Sequence, residues 1–488
     1  MGNSRIIINT IEDTLVSSST ALPLEIGVVL KSPRGEVGKP IKVTTEAELI
    51  EKFGTPTTAF PVLDAVRMFL RLYGGITISR VKNSVDEVLS SVNLDNDDPS
   101  APIEIVKLSG VSRSDYENGF QLDLTASGSD LVFALSDADD VVLETFTVPA
   151  EYSEFISQVN QLSSYVVASA LPGATGNVGV QSVVFSGGDA GFQFVKQDVL
   201  DAIDVFDSAT IGRMDVIAAP GLVDNTIVND FEEVVAALVD VANSRFETIA
   251  LADFVENKSV TDVIALVNAL PETPTNYKFS SKIAYYHPGV KMRLTSAIPV
   301  VVPASMAALF VHAEASMVSK WASPAGFTSS MAIPNVSDFY FLLKQSEVDL
   351  LYNIANADRP AINPIVYDNS VGWVIDGQRT AADSADLRRS LSLEKLIDEI
   401  QYQTNLNSKK YQYKPNNQTT WDAWKLEMTT YMNNILALGG ITSFQVFMGL
   451  NTMTQTDIQN GLLKGVIKLV PTFTIEEIQI TINVKLEA

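Results

Sequence analysis

The chain has 488 residues, of which 46% are hydrophobic and 8% aromatic, the make-up of globular material and not of a disordered polymer. Asp and Glu number 58 against 34 Lys and Arg, a formal charge of −24, which excludes a general nucleic-acid binder and argues against adhesion to an anionic membrane. With no cysteine there is no disulfide, zinc–thiolate site or thiol catalysis, and two histidines, His287 and His312, are too few for a three-imidazole metal site.

At ~150 residues per domain the length suggests about three domains. Met1 to Leu15 lacks a continuous apolar run, so no export signal is expected. The most apolar stretch, Ala297 to Val311, holds two prolines and falls short of the ~20 residues a spanning helix needs. The expected setting is a cytoplasm, or release from one without a secretion signal.

In chain order, residues 5–11 (RIIINTI) are apolar and β-branched, with no helix cap. Residues 21–82 read as β-α-α-β. A strand lies in ALPLEIGVVLKS and a turn at Ser32-Pro33-Arg34-Gly35. One helix runs from Thr45 to Phe53-Gly54 and a second over 62–73, and a strand covers Ile76–Val81. The polar, acidic stretch 93–100 marks a boundary. From 101 to about 150, short alternating runs (IEIVKL, FQLDLTA, DLVFALS, VVLETFTV) predict a small antiparallel β unit. Residues 151–170 read as helix-like, and Val183 to Phe185 as a closing strand before a glycine-rich SGGDAG turn. Residues 96–195 are thus an expected insertion.

From 196 the pattern alternates: a helix over 198–207, a strand at Met214–Ala219, a helix at Asn229–Asn243, and a strand at Thr248–Ala252. A helix over 259–269 and a strand at Ser281–Tyr286 follow, and the alternation predicts a parallel α/β sheet. Fourteen acids face three bases between 198 and 262, which reads as a solvated acidic face before it reads as a metal site. The last hundred residues read as α+β. Helices are expected at Leu387–Gln403 and 421–438, strands at Phe444–Met448 and Gly465–Leu469, and a short capped turn or helix over 454–463. Over 472–486 the apolar residues Ile478, Ile480, Ile482, Val484 and Leu486 alternate with polar ones, the period of a half-buried strand. Such a strand closes its own sheet or adds to the edge of a neighbour's.

Signs of catalysis are weak. Gly173-x-x-Gly176-x-x-Gly179 lacks the Lys-Ser/Thr step of a nucleotide loop. Asp253 ends a buried strand, where α/β enzymes place carboxylates, so a triad of Asp253, Ser305 and His287 or His312 is conceivable. No GxSxG elbow supports it, and His312 sits in an apolar run that reads as core. Trp321, Trp373, Trp421 and Trp424 read as packing residues, because no basic groove surrounds them.

Several segments share an order and spacing with a known family. The first is Arg34-Gly35-Glu36-Val37-Gly38-Lys39-Pro40, leading through Phe53-Gly54, Ala65-Val66-Arg67 and Gly74-Gly75 to Arg80-Val81. Next come Phe185 to Gly191 (FSGGDAG), Ala218-Ala219-Pro220-Gly221, and Ala250 to Asp253. Tyr285-Tyr286 is followed by Val302-Pro303-Ala304-Ser305 and Trp321 to Gly326, and Ile362-Asn363 by Gly372-Trp373-Val374 and Gln378-Arg379-Thr380. Together they resemble the contractile tail sheath proteins of bacteriophages of the myovirus type and of related contractile injection particles. Ala190, Pro364, Ile365 and Asp376-Gly377 depart from the family pattern.

The resemblance implies an α+β multidomain chain. Its parts would be a subtilisin-like, non-catalytic α/β central domain, an inserted antiparallel β domain, and an α+β C-terminal domain with extended terminal strand arms. The boundaries would be a 1–20 arm, 21–95 and 196–384 in the α/β region, 96–195 inserted, 385–470 as the C-terminal sheath domain, and 471–488 as the second arm. The implied function is structural: stacked hexameric rings around a tail tube, contracting to drive the tube through a target envelope. No enzyme activity, cofactor, metal, nucleic acid or membrane insertion is expected. Partners would be other copies, the tail tube, and baseplate and tail terminator proteins, assembled in a host bacterial cytoplasm into a virion tail. The arms would exchange strands between subunits through Ile6, Ile7, Ile8 and Ile11 at one end and Ile478, Ile480, Ile482, Val484 and Leu486 at the other. Pro23 and Pro471 would be the hinges, and Arg388, Arg389, Lys409, Lys410 and Lys414 the bases facing the tube. The competing readings are a serine hydrolase on the α/β domain and an adhesive module built on the β insertion.

Overall fold

The computed structural model describes residues 24–111, 116–189, 191, 193–208, 210–224, 230–294, 298–352 and 359–476. Both expected arm strands, including Ile6 to Ile11, Pro23 and Ile478 to Leu486, lie outside the described residues.

The first elements are strands β1 (Ile26–Leu30) and β2 (Ile41–Val43), helices α1 (Glu46–Phe53) and α2 (Pro61–Tyr73), and strand β3 (Ile76–Arg80). Thr45 caps α1 by accepting from the Glu48 amide, and Pro61 opens α2, where its missing N–H costs nothing. The next stretch is β4 (Ser91–Asp95), β5 (Glu104–Gly110), β6 (Gln121–Ser127), β7 (Asp130–Ser136), β8 (Val142–Pro149), α3 (Tyr152–Leu162), β9 (Val166–Ala170) and β10 (Gln181–Val184). It is followed by α4 (Lys196–Asp204), β11 (Val216–Ala218), α5 (Phe231–Ser244), β12 (Ile249–Ala252), α6 (Val260–Asn268) and β13 (Ile283–His287). Then come β14 (Val290–Met292), β15 (Val300–Val302), α7 (Ala304–Ser316), β16 (Val336–Phe339), α8 (Gln345–Tyr352), β17 (Ile362–Asp368) and β18 (Gly372–Ile375). The chain closes with α9 (Leu391–Ser408), α10 (Gln418–Ala437), β19 (Ile441–Met448), α11 (Gln455–Gln459) and β20 (Gly465–Pro471).

The organising element is an eight-stranded sheet in the order β18-β17-β13-β12-β11-β1-β3-β2. From β17 to β3 the neighbours run parallel, while β18 and β2 close the edges antiparallel. Helices cover both faces, so the inner strands are buried on both sides and read as unbroken apolar runs. Alternate residues feed two cores. Ile26, Val28, Ala284 and Tyr286 join α1, α2 and α7 on one face, while Val29, Ile283 and Tyr285 join α4, α5 and α6 on the other. The apolar stretch around 297–311 supplies β15 and the nearly wholly buried helix α7.

Between β3 and α4 the chain builds its own apolar core. Two sheets, β10-β6-β7-β8 and β4-β5-β9, share Leu94, Val106, Leu122, Phe133 and Phe155 with α3. Strand β7 alternates half-buried and buried residues along its length, as a strand with one core face must. A fourth core, on Leu396, Ile400, Trp421, Trp424, Met428 and Met432, packs α9 and α10 against the two-stranded sheet β19–β20.

Several sequence expectations are corrected. Residues 151–170 are a helix only to Leu162. The aromatic and β-branched run after Ser164 makes β9, which pairs with β5. Residues 91–95, placed before the insertion on sequence, pair with β5 inside it. The helix expected from Leu387 begins at Leu391 and runs to Ser408; Arg388 and Arg389 lie in a single 3-10 turn before it. The strand expected over 465–469 continues through Pro471, whose missing N–H falls at its last residue. Residues 472–476 carry no strand. Strand β2, the small sheet β15-β14-β16 and the hairpin β17–β18 had no counterpart in the sequence reading.

Candidate functional sites

The conceivable triad does not assemble. Asp253 follows β12 and is fully buried. Its carboxylate accepts from the Ser305 hydroxyl at 2.6 Å, the Ser305 amide at 3.3 Å and the Gly221 amide at 3.1 Å. Burial pushes its pKa up to about 7, against the pull of those three donors. No imidazole completes the set. The Tyr286 hydroxyl meets His312 Nε2 at 2.8 Å, and His287 packs between the rings of Phe254 and Phe341 with neither ring nitrogen hydrogen-bonded. Burial lowers the His287 pKa to about 4 and holds His312 well below the ordinary histidine value. Ser305 is the second residue of α7, so the carboxylate serves as a side-chain cap that ties the starts of α7 and the β11 loop together.

The most highly charged buried region joins the sheet to the C-terminal helices. Helix α9 turns Leu393, Leu396 and Ile400 toward the C-terminal core and Glu394, Lys395, Asp398 and Glu399 toward the α/β body. Lys282, just before β13, donates to Asp398 at 2.5 Å and to the Phe246 carbonyl at 2.5 Å, and lies 3.1 Å from Glu394. Glu394, with no exposed surface, also accepts from Arg388 at 2.6 and 2.7 Å and from the Ser281 hydroxyl at 3.2 Å. A second pairing joins Arg213 to Asp215 and Glu399, with Lys320 3.1 Å from Asp215 and the Tyr402 ring 4.2 Å from the guanidinium. The Lys395 ammonium is buried beside them without a hydrogen-bond partner among the described residues, and burial lowers its pKa to about 8. Burial, with Glu394 adding to it, pushes the Asp398 pKa up. Removing one partner of such a buried pair strands the other charge, which costs ~3–5 kcal/mol. Buried charges thus join α9 to the α/β body.

The expected tube-facing bases do not form one patch. Arg388 is turned inward onto Glu394, and Arg389 donates to the Ser384 carbonyl at 3.0 Å. Lys409, Lys410 and Lys414 cluster around Tyr411 beyond α9. Lys410 pairs with Glu427 at 2.7 Å, and the Lys414 ammonium stands 4.9 Å above the Tyr411 ring. Lys409, Lys414, Tyr411 and Tyr413 line a cleft of about 340 Å³ beside Trp424.

Strand β20 pairs only with β19 among the described residues, so its outer edge carries free backbone groups. A groove of about 490 Å³ runs beside it, lined by Ile397, Ile400, Trp424, Ile467 and Leu469. Gly465 is required at its mouth, since a Cβ there would lie 2.5 Å from the Trp424 ring.

No family model matches the chain. Two curated relatives do, both tail sheath proteins. That of Vibrio phage KVP40 is 29% identical over 26% of this chain, and that of Enterobacteria phage T4 is 25% identical over 33%. The matched stretches span only 18% and 23% of those relatives' own lengths. Likeness of fold extends much further. The sheath tail protein of Listeria innocua superposes with a TM-score of 0.61 at 13% identity, covering 92% of this chain and 95% of that one. The helical sheath of the anti-feeding prophage in its contracted state gives 0.55 at 15% identity, with 99% of each chain covered. The chain is therefore similar in sequence to phage tail sheath proteins over part of its length, and has the mixed α+β, multi-sheet fold of contractile sheath subunits along nearly all of it.

Proposed function

We propose that this chain is the structural subunit of a contractile tail sheath, polymerising as stacked hexameric rings around a tail tube and contracting to drive that tube through a target envelope. The observation that carries the reading is the fold likeness to sheath subunits over nearly the whole chain, from the α/β body through the C-terminal helices. The α/β body is read as a subtilisin-like domain without catalysis, because Asp253 and Ser305 are consumed as a helix cap with no imidazole in reach. Boundaries near 21, 196 and 385 divide the chain into arm, body, insertion and C-terminal domain, with the insertion beginning at β4.

The partners are other copies of the chain, the tail tube, and the baseplate and tail terminator proteins. Assembly takes place in a host bacterial cytoplasm. Subunits are knitted by strands donated from both termini, through Ile6, Ile7, Ile8 and Ile11 and through Ile478, Ile480, Ile482, Val484 and Leu486. The open edge of β20 and its apolar groove are a fitting acceptor, since an added strand gains backbone hydrogen bonds and seats alternate side chains in the groove. Arg389, Lys409, Lys410 and Lys414 are the bases proposed to meet an acidic tube, with Arg388 engaged by Glu394.

Negative-stain electron microscopy of the purified chain tests this. Hollow striated tubes are expected, with loss of tubes and retention of a soluble body when residues 477–488 are deleted. Polymers of ordinary length from that truncation would overturn strand donation by the C-terminal arm.

A further inference from the structure

The Gln378-Arg379-Thr380 motif follows β18 on the α/β body, beside the start of α9, and the body gives it no catalytic task. We infer that Gln378, Arg379 and Tyr352 form a preformed carboxylate receptor whose occupant is Glu476, and that this strap fixes where the C-terminal arm leaves the body. The inference rests on the sheath reading only for what the arm does afterwards.

The receptor is built without its occupant. The side-chain amide of Asn363, itself fully buried, grips the backbone of Arg379: Asn363 Oδ1 accepts the Arg379 amide at 2.7 Å and Nδ2 donates to the Arg379 carbonyl at 2.8 Å. The Gln378 carbonyl accepts from the Leu391 amide at 2.9 Å, and its side-chain oxygen accepts from the Ser392 hydroxyl at 2.7 Å. With that oxygen engaged, Gln378 Nε2 is left facing outward as a donor. Tyr352, the last residue of α8, accepts from Arg379 Nε at 3.1 Å through its hydroxyl while its ring lies 5.3 Å from the guanidinium. The ring is seated against Gly377, where a Cβ would come within 2.7 Å of it. Burial, with the Arg379 charge adding to it and Glu476 opposing, lowers the pKa of nearby Arg389.

Glu476 supplies it. Its carboxylate accepts from the Tyr352 hydroxyl at 3.2 Å and from Gln378 Nε2 at 3.1 Å, and pairs with the Arg379 guanidinium. Thr474, two residues earlier, accepts from the same Gln378 amide, and the Thr472 amide donates to the Gly440 carbonyl at 3.1 Å. Between these ties Phe473 and Ile475 are exposed, so polar strapping and not burial holds the segment. The chain is therefore held to the body as far as Glu476. Pro471, the expected hinge, ends β20 and is followed by a segment tied at three places.

The chain has no cysteine, so two can be placed for spin labels at the exposed positions Ser346 and Ile475, in α8 and the strap. In the full-length, unassembled chain the 346–475 distance distribution is expected to be narrow. Glu476→Gln, and independently Arg379→Gln, should at least double its width, while Tyr352→Phe broadens it less. A broad distribution in the parent chain, or one unchanged in both charge-removing variants, would overturn the strap. Because the distance is read before assembly, failure to form tubes would strike the sheath reading alone.

Discussion

Two of the contacts between the C-terminal part and the α/β body, the charged joint and the strap, differ in kind. At the joint, Lys282, Glu394, Asp398 and Glu399 are buried; Lys282, Glu394 and the nearly buried Arg213 each meet more than one partner, while Asp398 pairs with Lys282 and Glu399 with Arg213. At the strap, one carboxylate with a quarter of its side-chain surface exposed is held by three donors on a surface cradle. Buried charge is costly to separate, whereas exposed pairs contribute ~0–1 kcal/mol. The same two parts of the chain are thus joined by buried charges through α9 and by a partly exposed carboxylate at the strap.

The largest effect should come from breaking the joint. Lys282→Met leaves buried Asp398 without its cation and takes one of two cations from Glu394, and is expected to cost ~3–5 kcal/mol, read by urea unfolding. The double variant Lys282→Met/Asp398→Leu should recover much of that loss. A cost below ~1 kcal/mol for the single change would mean that the joint is held by packing alone. Lys395 tests the same place with opposite sign. Its folded pKa of about 8 lies below the ordinary value of 10.5, so the folded state carries a penalty for the charged ammonium below pH 8. That penalty disappears as pH rises through 8 to 10.5. Lys395→Met should therefore stabilise by up to ~3 kcal/mol at pH 7, with the gain shrinking to nothing by pH 10.5.

This contrast could not be read from the sequence, and the reason is geometric. Strand and helix alternation made the parallel sheet legible, because strands such as IALA and helices such as FEEVVAALV carry their burial pattern locally. The joint is not local: Lys282 meets Asp398 across 116 positions, and the charged face of α9 reads like any solvated helix flank. Arg388, read as a tube-facing base, pairs with Glu394 in the first turn of α9, a partner whose burial the local sequence does not announce. Asp253 and Ser305 were paired correctly but as chemistry; only the absence of an imidazole beside them turns the pair into a cap. Tail residue Glu476 carried no signal, whereas its receptor did, as the motif Gln378-Arg379-Thr380.

Asp253 calibrates the two contacts, being a buried carboxylate that belongs to neither. Its pKa near 7, above the ordinary 3.8, means that its ionisation opposes folding: the associated stability is complete below pH 3.8 and is lost as pH rises through 7. Ser305→Ala removes one of the donors that favour the ionised form. The loss should be ~1–2 kcal/mol at neutral pH and steeper above it, measured by thermal unfolding across pH 5 to 8. An equal loss at every pH would mean that the hydroxyl contributes packing only.

The smallest effect on stability is expected at the strap. Glu476→Gln keeps the shape and an acceptor oxygen and removes one partly exposed charge, so global unfolding should move by less than ~1 kcal/mol. The 346–475 distance distribution should nonetheless broaden. Large mobility with little stability is the signature that separates a tether from a joint. If Glu476→Gln destabilised the whole chain as much as Lys282→Met, the strap would belong to the rigid body, and the arm would have to bend elsewhere.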